Sequence, residues 1–242
     1  MLHLPLLRLP DVPNLRPAVI TLLAALAFWV LAERADARDI KALNQELDYA
    51  LNLTPNRERG REIYQTCAGC HGEKGWGSAD GVYPQIAGQH YNVIIKQIVD
   101  IRFGLRDNPV MLPFVERESL GEAQALADIA GYVSSLPMDP NSGIGPGTDL
   151  ARGEDLFERK CAVCHLNDGE GENDLLFPKI TGQHYVYLLR ELNWMREGKR
   201  RNSLRGMVNR IKRLPPADIM AVADYISRLN RSPSQSVAGQ AQ

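Results

Sequence analysis

The sequence predicts an all-α protein of two tandem lobes preceded by an N-terminal hydrophobic helix, and three observations carry that prediction. Sliding the chain by 94 residues superimposes Cys67 on Cys161, Cys70 on Cys164, His71 on His165 and Pro84 on Pro178. The same shift aligns two Gly-Gln-His-Tyr tetrapeptides, beginning at Gly88 and Gly182, then Gly104 with Gly198 and Arg106 with Arg200. A repeat of this length marks two copies of one folding unit. Apolar residues also recur at helical spacing: Tyr91, Ile94, Ile98 and Ile101 fall at i, i+3, i+7 and i+10, and Tyr185, Leu188, Leu192 and Met195 repeat them, with no period-2 alternation. Finally, residues 18–32 form an uncharged apolar run of 15 residues.

Taken in order, residues 1–37 read as a signal or anchor segment. Arg8 and Arg16 precede the apolar run, which keeps that end in the cytoplasm and sends the remainder to the periplasmic side of the inner membrane. Two fates stay open. The run is short for a span, and Val30-Leu31-Ala32 and Ala35-Asp36-Ala37 offer the small residues a signal peptidase reads, which favours cleavage. Against cleavage, no Gly or Pro occurs from residue 18 to 54, and Ile40, Leu43, Leu47 and Leu51 continue at helical spacing, as a retained anchor with a stalk would. Residues 38–54 therefore read as a helical linker or stalk. The first lobe spans 55–137. Residues 138–150, rich in Pro and Gly, form a linker, the second lobe spans 151–230, and 231–242 is a polar tail read as disordered. Each lobe closes on a helix, with Leu126, Ile129 and Val133 matched by Ile219, Val222 and Ile226.

Composition bounds the function. With 242 residues, 44% apolar and 24% charged, the chain is neither disordered nor collagen-like nor polytopic. Its 28 basic and 29 acidic side chains give a net charge of -1, without the electrostatic footprint a nucleic acid demands. Lobes this small, built from a few short helices, bury too little apolar surface to stand alone. Something other than side chains must fill them.

All four cysteines sit in two frames, Cys67-Ala68-Gly69-Cys70-His71 and Cys161-Ala162-Val163-Cys164-His165. On a helix, residues three apart share a face, so each pair presents two sulfurs to one flat partner while the histidine points at its centre. That is the pattern of covalent haem attachment: thioethers from the cysteines, and His71 and His165 as iron ligands, giving two covalently bound haem c groups. A four-cysteine zinc site would space its pairs far more closely and leave both histidines unexplained. A redox-active dithiol needs a βαβ setting that is absent here.

The repeat also sorts the candidates for the sixth ligand. Met195 falls on the apolar stripe and Met220 inside the terminal helix, where both read as packing. Met111 and Met207 fall between the conserved-in-repeat glycine and the terminal helix, where a loop brings a thioether across the face opposite the histidine. Gap-filling is the alternative role for both. Met138 is a first-lobe rival without a second-lobe counterpart, and His90 and His184 would give bis-histidine iron of lower potential.

These motifs, with Pro84-Gln85-Ile86-Ala87-Gly88-Gln89, a helix ending at Gly104, a methionine and a terminal helix bearing Tyr132, all occurring twice, resemble the dihaem cytochrome c4 family of class I cytochromes c over residues 57–230. The resemblance implies two tandem class I cytochrome c domains, lobes that face each other near a pseudo-twofold axis with their haem propionates close as a short internal wire. It also implies that the carbonyls of Pro84 and Pro178 accept from Nδ1 of His71 and His165, and that Tyr132 and Tyr225 pack near the haems. The implied function is a periplasmic carrier of single electrons, from a cytochrome bc complex to a terminal oxidase, rather than an enzyme. The alternatives are the cytochrome subunit of a dehydrogenase and a dihaem peroxidase, the latter opposed by a methionine on each iron.

Charge divides the lobes. Residues 55–140 carry 8 basic and 11 acidic side chains, and residues 149–231 carry 15 and 12. Much of the basic excess lies between Arg196 and Arg213, around Met207, which suits docking of an acidic partner or a solvated face.

Overall fold

The computed structural model describes residues 40–229; the segment 1–37 and the tail 231–242 lie outside the described residues. Within 40–229 the chain is helical. The extended pairing among these residues is a single bridge between Glu172 and Phe177. No helix among the described residues is long and apolar enough to cross a membrane.

Helix α1 occupies residues 40–51. The first lobe then runs α2 (Arg57–His71), α3 (Tyr91–Arg102), the short α4 (Leu112–Val115) and α5 (Arg117–Leu120), and α6 (Ala123–Ser135). The second lobe repeats this order as α7 (Leu150–Lys160), α8 (Ala162–His165), α9 (Tyr185–Arg196), α10 (Arg205–Ile211) and α11 (Pro216–Arg228).

Each lobe is pinned where its first helix crosses its last, and the sequence explains how close they come. A β-carbon on Gly60 would lie 2.1 Å from the Asp128 carbonyl oxygen, and one on Gly153 would lie 2.2 Å from that of Ala221. Only glycine lets the two backbones approach so closely. One turn further on, Tyr64 packs on Tyr132 with ring centroids 5.3 Å apart, and Phe157 packs on Tyr225 at 5.5 Å. Tyr64 and Phe157 are almost wholly buried. Tyr132 and Tyr225 thus pack behind the apolar wall of each lobe.

A clamp beside each crossing ties the same two helices. Arg59 of α2 pairs with Asp128 of α6, which also accepts from the Asn56 backbone N–H at 2.7 Å. Arg152 of α7 grips Asp218 of α11 through two bonds of 3.0 and 2.8 Å.

The end of α1 is not a free-standing stalk. Buried Glu46 lies between Arg102 and Arg117 of the first lobe, and the Tyr91 hydroxyl donates to the Leu53 carbonyl at 3.1 Å. Ala50 is fully buried. Residues 45–53 are folded onto the first lobe.

The two lobes meet face to face through a hydrogen-bond set that obeys the 94-residue shift. The Gln89 side chain accepts from the Lys179 N–H at 2.9 Å and donates to its carbonyl at 2.8 Å. Gln183 does the same to Gln85, at 3.0 and 2.8 Å. His90 Nε2 donates to the Glu170 carbonyl and His184 Nε2 to that of Trp76, both at 2.7 Å. Exchanging the lobes leaves this pattern unchanged, which defines a pseudo-twofold relation. Met138, in the linker, packs against Gly88 and Gly182 at the centre of the same junction.

Candidate functional site

A single cavity of about 970 Å³ runs through both lobes. Its wall carries Cys67, Cys70, His71, Pro84 and Met111 from the first lobe, and Cys161, Cys164, His165, Pro178 and Met207 from the second. The four cysteines, the two histidines that follow them, both prolines and the two favoured methionines therefore face this one space. Ile94, Ile98 and Ile101 line it too, as do Leu188, Leu192 and Met195. The apolar stripe that reads as core packing in the sequence is the wall of the cavity.

The two attachment motifs are built differently. In the first lobe α2 continues unbroken through Cys67, Cys70 and His71 and ends at Gly72. In the second, the helix breaks at Cys161, and Cys164 and His165 lie on the separate turn α8. Both histidines are nonetheless held alike. His71 Nδ1 donates to the Pro84 carbonyl at 3.0 Å, and His165 Nδ1 donates to that of Pro178 at 2.9 Å. A carbonyl can only accept, so each Nδ1 carries the proton and each Nε2 lone pair is left available for a metal. Burial lowers both imidazoles below their usual range and keeps them neutral, the ligating form.

The carbonyls are set by glycines that no other residue could replace. Gly77 and Gly171 have φ of 70° and 73°, and a β-carbon on either would lie 2.3 to 2.7 Å from the backbone around Pro84 or Pro178.

Cys161 is buried and Cys67, Cys70 and Cys164 are half-buried, and burial pushes Cys67 and Cys161 up to about 11. Metal coordination and disulfide exchange need thiolates, the opposite setting. Among the described residues no group of three His, Cys, Asp or Glu comes together that could hold a metal ion. The zinc and dithiol readings have no support here.

The methionines separate. Met111 sits at the start of α4, flanked by Pro109 and Pro113. Met207 differs from the sequence expectation of a loop: it lies inside α10, where no proline interrupts residues 205–211. Met195 is buried in the second-lobe core. Met220 was expected to pack as well, but 46% of its surface is exposed on the outer face of α11. His90, His184 and Met138 are absent from the cavity wall and hold the lobes together instead.

Sequence reasoning missed the polar end of the cavity. Arg106 and Arg200 line it with Gln97, Glu191, Asn202 and Ser203. The hydroxyl of Ser203 is buried without a hydrogen-bond partner. Burial lowers the Arg200 guanidinium, and neighbouring Arg106 pushes the same way. Cationic side chains and an orphaned hydroxyl at one end, with apolar walls, thiols and imidazoles elsewhere, suit a flat hydrophobic cofactor that carries carboxylates. Recurrence at 94 residues marked Arg106 and Arg200, but nothing in the sequence says that either side chain crosses to the other lobe.

A helical lobe whose first helix leads into Cys-x-x-Cys-His, occurring twice around a shared apolar cavity, defines a dihaem c-type cytochrome. The Cytochrome c family model matches residues 57–137 and again 150–230. The chain is similar to cytochrome c4 of Pseudomonas aeruginosa, 35% identical over 180 residues, covering 71% of this chain and 87% of that protein. It is also similar to a thiosulfate dehydrogenase electron acceptor of Stutzerimonas stutzeri, 31% identical over 202 residues, covering 75% and 91%. The crystal structure of reduced recombinant cytochrome c4 from Pseudomonas stutzeri superimposes with a TM-score of 0.64 at 30% identity, covering 72% of this chain and 98% of that one. The chain belongs to the cytochrome c family and, within it, to the dihaem cytochrome c4 group. It carries two covalently bound haem c groups and is an electron carrier.

Proposed function

We propose that His71 with Met111, and His165 with Met207, ligate the two irons, and that the chain carries single electrons on the periplasmic side of the inner membrane. Cys67, Cys70, Cys161 and Cys164 form the thioethers, and Pro84 and Pro178 orient the histidines. The observation that carries this reading is that these ten residues line one cavity while His90, His184 and Met138 are engaged between the lobes. Haem supplies one-electron exchange between ferric and ferrous iron, and a thioether ligand raises its potential relative to a second imidazole. The protein's part is to orient the histidines through Nδ1 bonds to the Pro84 and Pro178 carbonyls and to exclude water with the isoleucines and leucines of α3 and α9.

With His71 and Met111 holding one iron and His165 and Met207 the other, neither iron would offer a place for peroxide, which supports a carrier over a peroxidase or other enzyme. The proposed donor is a cytochrome bc complex and the proposed acceptor a haem-copper terminal oxidase. The residues 18–32 serve as export signal or as anchor. A second reading, a relay that takes electrons from a dehydrogenase, is favoured by the likeness to the thiosulfate dehydrogenase electron acceptor.

The test is the weak far-red band that ferric iron shows when a thioether is bound. The oxidised protein is expected to show it, and Met111→Ala and Met207→Ala are each expected to remove about half of its intensity. Absence of the band, or full intensity in either variant, overturns the ligand assignment.

A further inference from the structure

At the polar end of the cavity, two arginines at matching places in the repeat reach across the pseudo-twofold relation. Arg106 Nη1 donates to Gln97 Oε1 in its own lobe at 2.9 Å, and its Nη2 reaches Glu191 Oε2 in the other lobe at 3.3 Å. Arg200 returns the arrangement: Nη1 donates to Glu191 Oε2 in its own lobe at 2.9 Å, and Nη2 to Gln97 Oε1 across the interface at 3.3 Å. Gln97 and Glu191 are themselves 94 residues apart. The ring is therefore symmetric in geometry and asymmetric in charge, with a carboxylate on one side and an amide on the other. The Glu191 side chain is only 4% exposed, and Arg106 and Arg200 are 14% and 15% exposed.

Two nearly buried cations share one anion, and a desolvated cation left unpaired is strongly unfavourable. The surroundings do not remove the excess. Lys96 is already paired with Asp100, to which Asn202 also donates, and Arg190 adds a third guanidinium 3.5 Å from Glu191. The remaining positive charge faces the cavity, where the carboxylates of bound haem would be the anions available to it. Glu191 would share the same guanidinium groups with any haem carboxylate held at this end of the cavity. Because its partners come from both lobes, its charge acts on both redox centres in a medium of low effective dielectric.

We propose that Glu191, held between Arg106 and Arg200 and opposed by neutral Gln97, is an electrostatic junction that lowers the midpoint potentials of both haems together. A negative charge near iron favours the ferric state, so removing it favours the ferrous one. The experiment is an equilibrium redox titration of the full-length, haem-loaded protein, followed in the haem bands. Glu191→Gln reproduces the amide already present at Gln97, and both midpoint potentials are expected to rise, with Glu191→Asp returning them towards the parent. Gln97→Glu supplies a second carboxylate and is expected to lower both. Unmoved potentials in these variants, or a shift confined to one haem, overturns the proposal. A merely structural Glu191 would reduce thermal stability without moving either potential.

Discussion

The two lobes use one plan with different materials, and what they share most closely is the pair of contacts that orients the two histidines. Both bind the histidine through a proline carbonyl, both cross their first and last helices at a glycine, and both cover the crossing with an aromatic pair. Around this shared frame the clamp on the crossing, the helix that carries the attachment motif and the charge of the rim all vary. The clamp on the crossing is Asp128 in one lobe and Asp218 in the other, and these do not occupy equivalent turns relative to Tyr132 and Tyr225. The rim near the methionine carries exposed Asp107, Glu116, Glu118 and Glu122 in the first lobe, and exposed Arg201, Arg205, Arg210, Lys212 and Arg213 in the second. What the repeat holds constant is the backbone geometry that positions the ligands; what it frees is charge.

The clamps should give the largest difference between the lobes. The Asp128 carboxylate is wholly buried and accepts from Arg59, the Asn56 N–H and Gln124, whereas the Asp218 carboxylate is 13% exposed and is held by Arg152. Asp128→Ala strands the Asn56 N–H and is expected to destabilise the first lobe by about 2–3 kcal/mol, with a smaller loss for Asp218→Ala in the second. Burial alone would raise the Asp128 carboxyl, but the bonds from Arg59, Asn56 and Gln124 outweigh it and leave it below the usual carboxylate range. A depressed folded value contributes stability that is present above the unfolded value and lost as pH falls through the folded one. Acid should therefore weaken the first lobe, and Asp128→Ala should flatten that dependence. Thermal unfolding across the acid range, followed separately in each haem environment, measures both effects; equal losses for the two variants would break the contrast.

Much of this was legible in the sequence, for reasons that also mark the limit. Period and spacing report local geometry, so the helices, the haem-binding frames and the tandem arrangement follow from residues near one another in the chain. The same logic misread Met207 as part of a loop, because short helices leave little periodic signal. It assigned Ile94 and Ile98 to packing, since an apolar stripe looks the same whether side chains or a cofactor cover it. A repeat shows that two segments are alike, but not that their side chains exchange partners. For that reason the cross-lobe roles of Gln89, Gln183, Arg106 and Arg200 emerge only from the fold. The docking idea needed the same correction: Arg200 lies inside the junction, and the exposed basic groups are its neighbours on the rim.

The opposite rims supply the second test. A basic surface beside the second haem site steers an acidic partner, an effect that salt screens. Arg210→Glu with Lys212→Glu is expected to slow electron transfer to an acidic acceptor on the order of tenfold at low ionic strength, with the difference fading as salt is added. The mirror change, Glu116→Lys with Glu118→Lys in the first lobe, should leave that rate where it is. Stopped-flow oxidation at several salt concentrations distinguishes the two lobes. Equal slowing by both variants would mean that the partner does not discriminate between them.

The smallest expected effect concerns the residue that follows the histidine of each attachment motif. Gly72 takes φ 76° and ψ 159°, a region almost restricted to glycine, and a β-carbon there would meet nothing within 4 Å. Leu166 holds the matching place in the second lobe with φ 61° and ψ 169°. A leucine in that conformation carries about 1–3 kcal/mol of backbone strain, and with 46% of its surface exposed it recovers little through burial. Replacing it by glycine relieves the strain but adds freedom to the unfolded chain, which offsets about 0.5–1 kcal/mol of the gain. Leu166→Gly is therefore expected to stabilise the second lobe by about 1 kcal/mol, and Gly72→Leu to destabilise the first by a similar amount. Denaturant unfolding of the two variants reads both. A loss of stability in Leu166→Gly would mean that the leucine side chain contributes more to the second lobe than its exposure implies, and the two chain exits would then be unlike in packing as well as in residue.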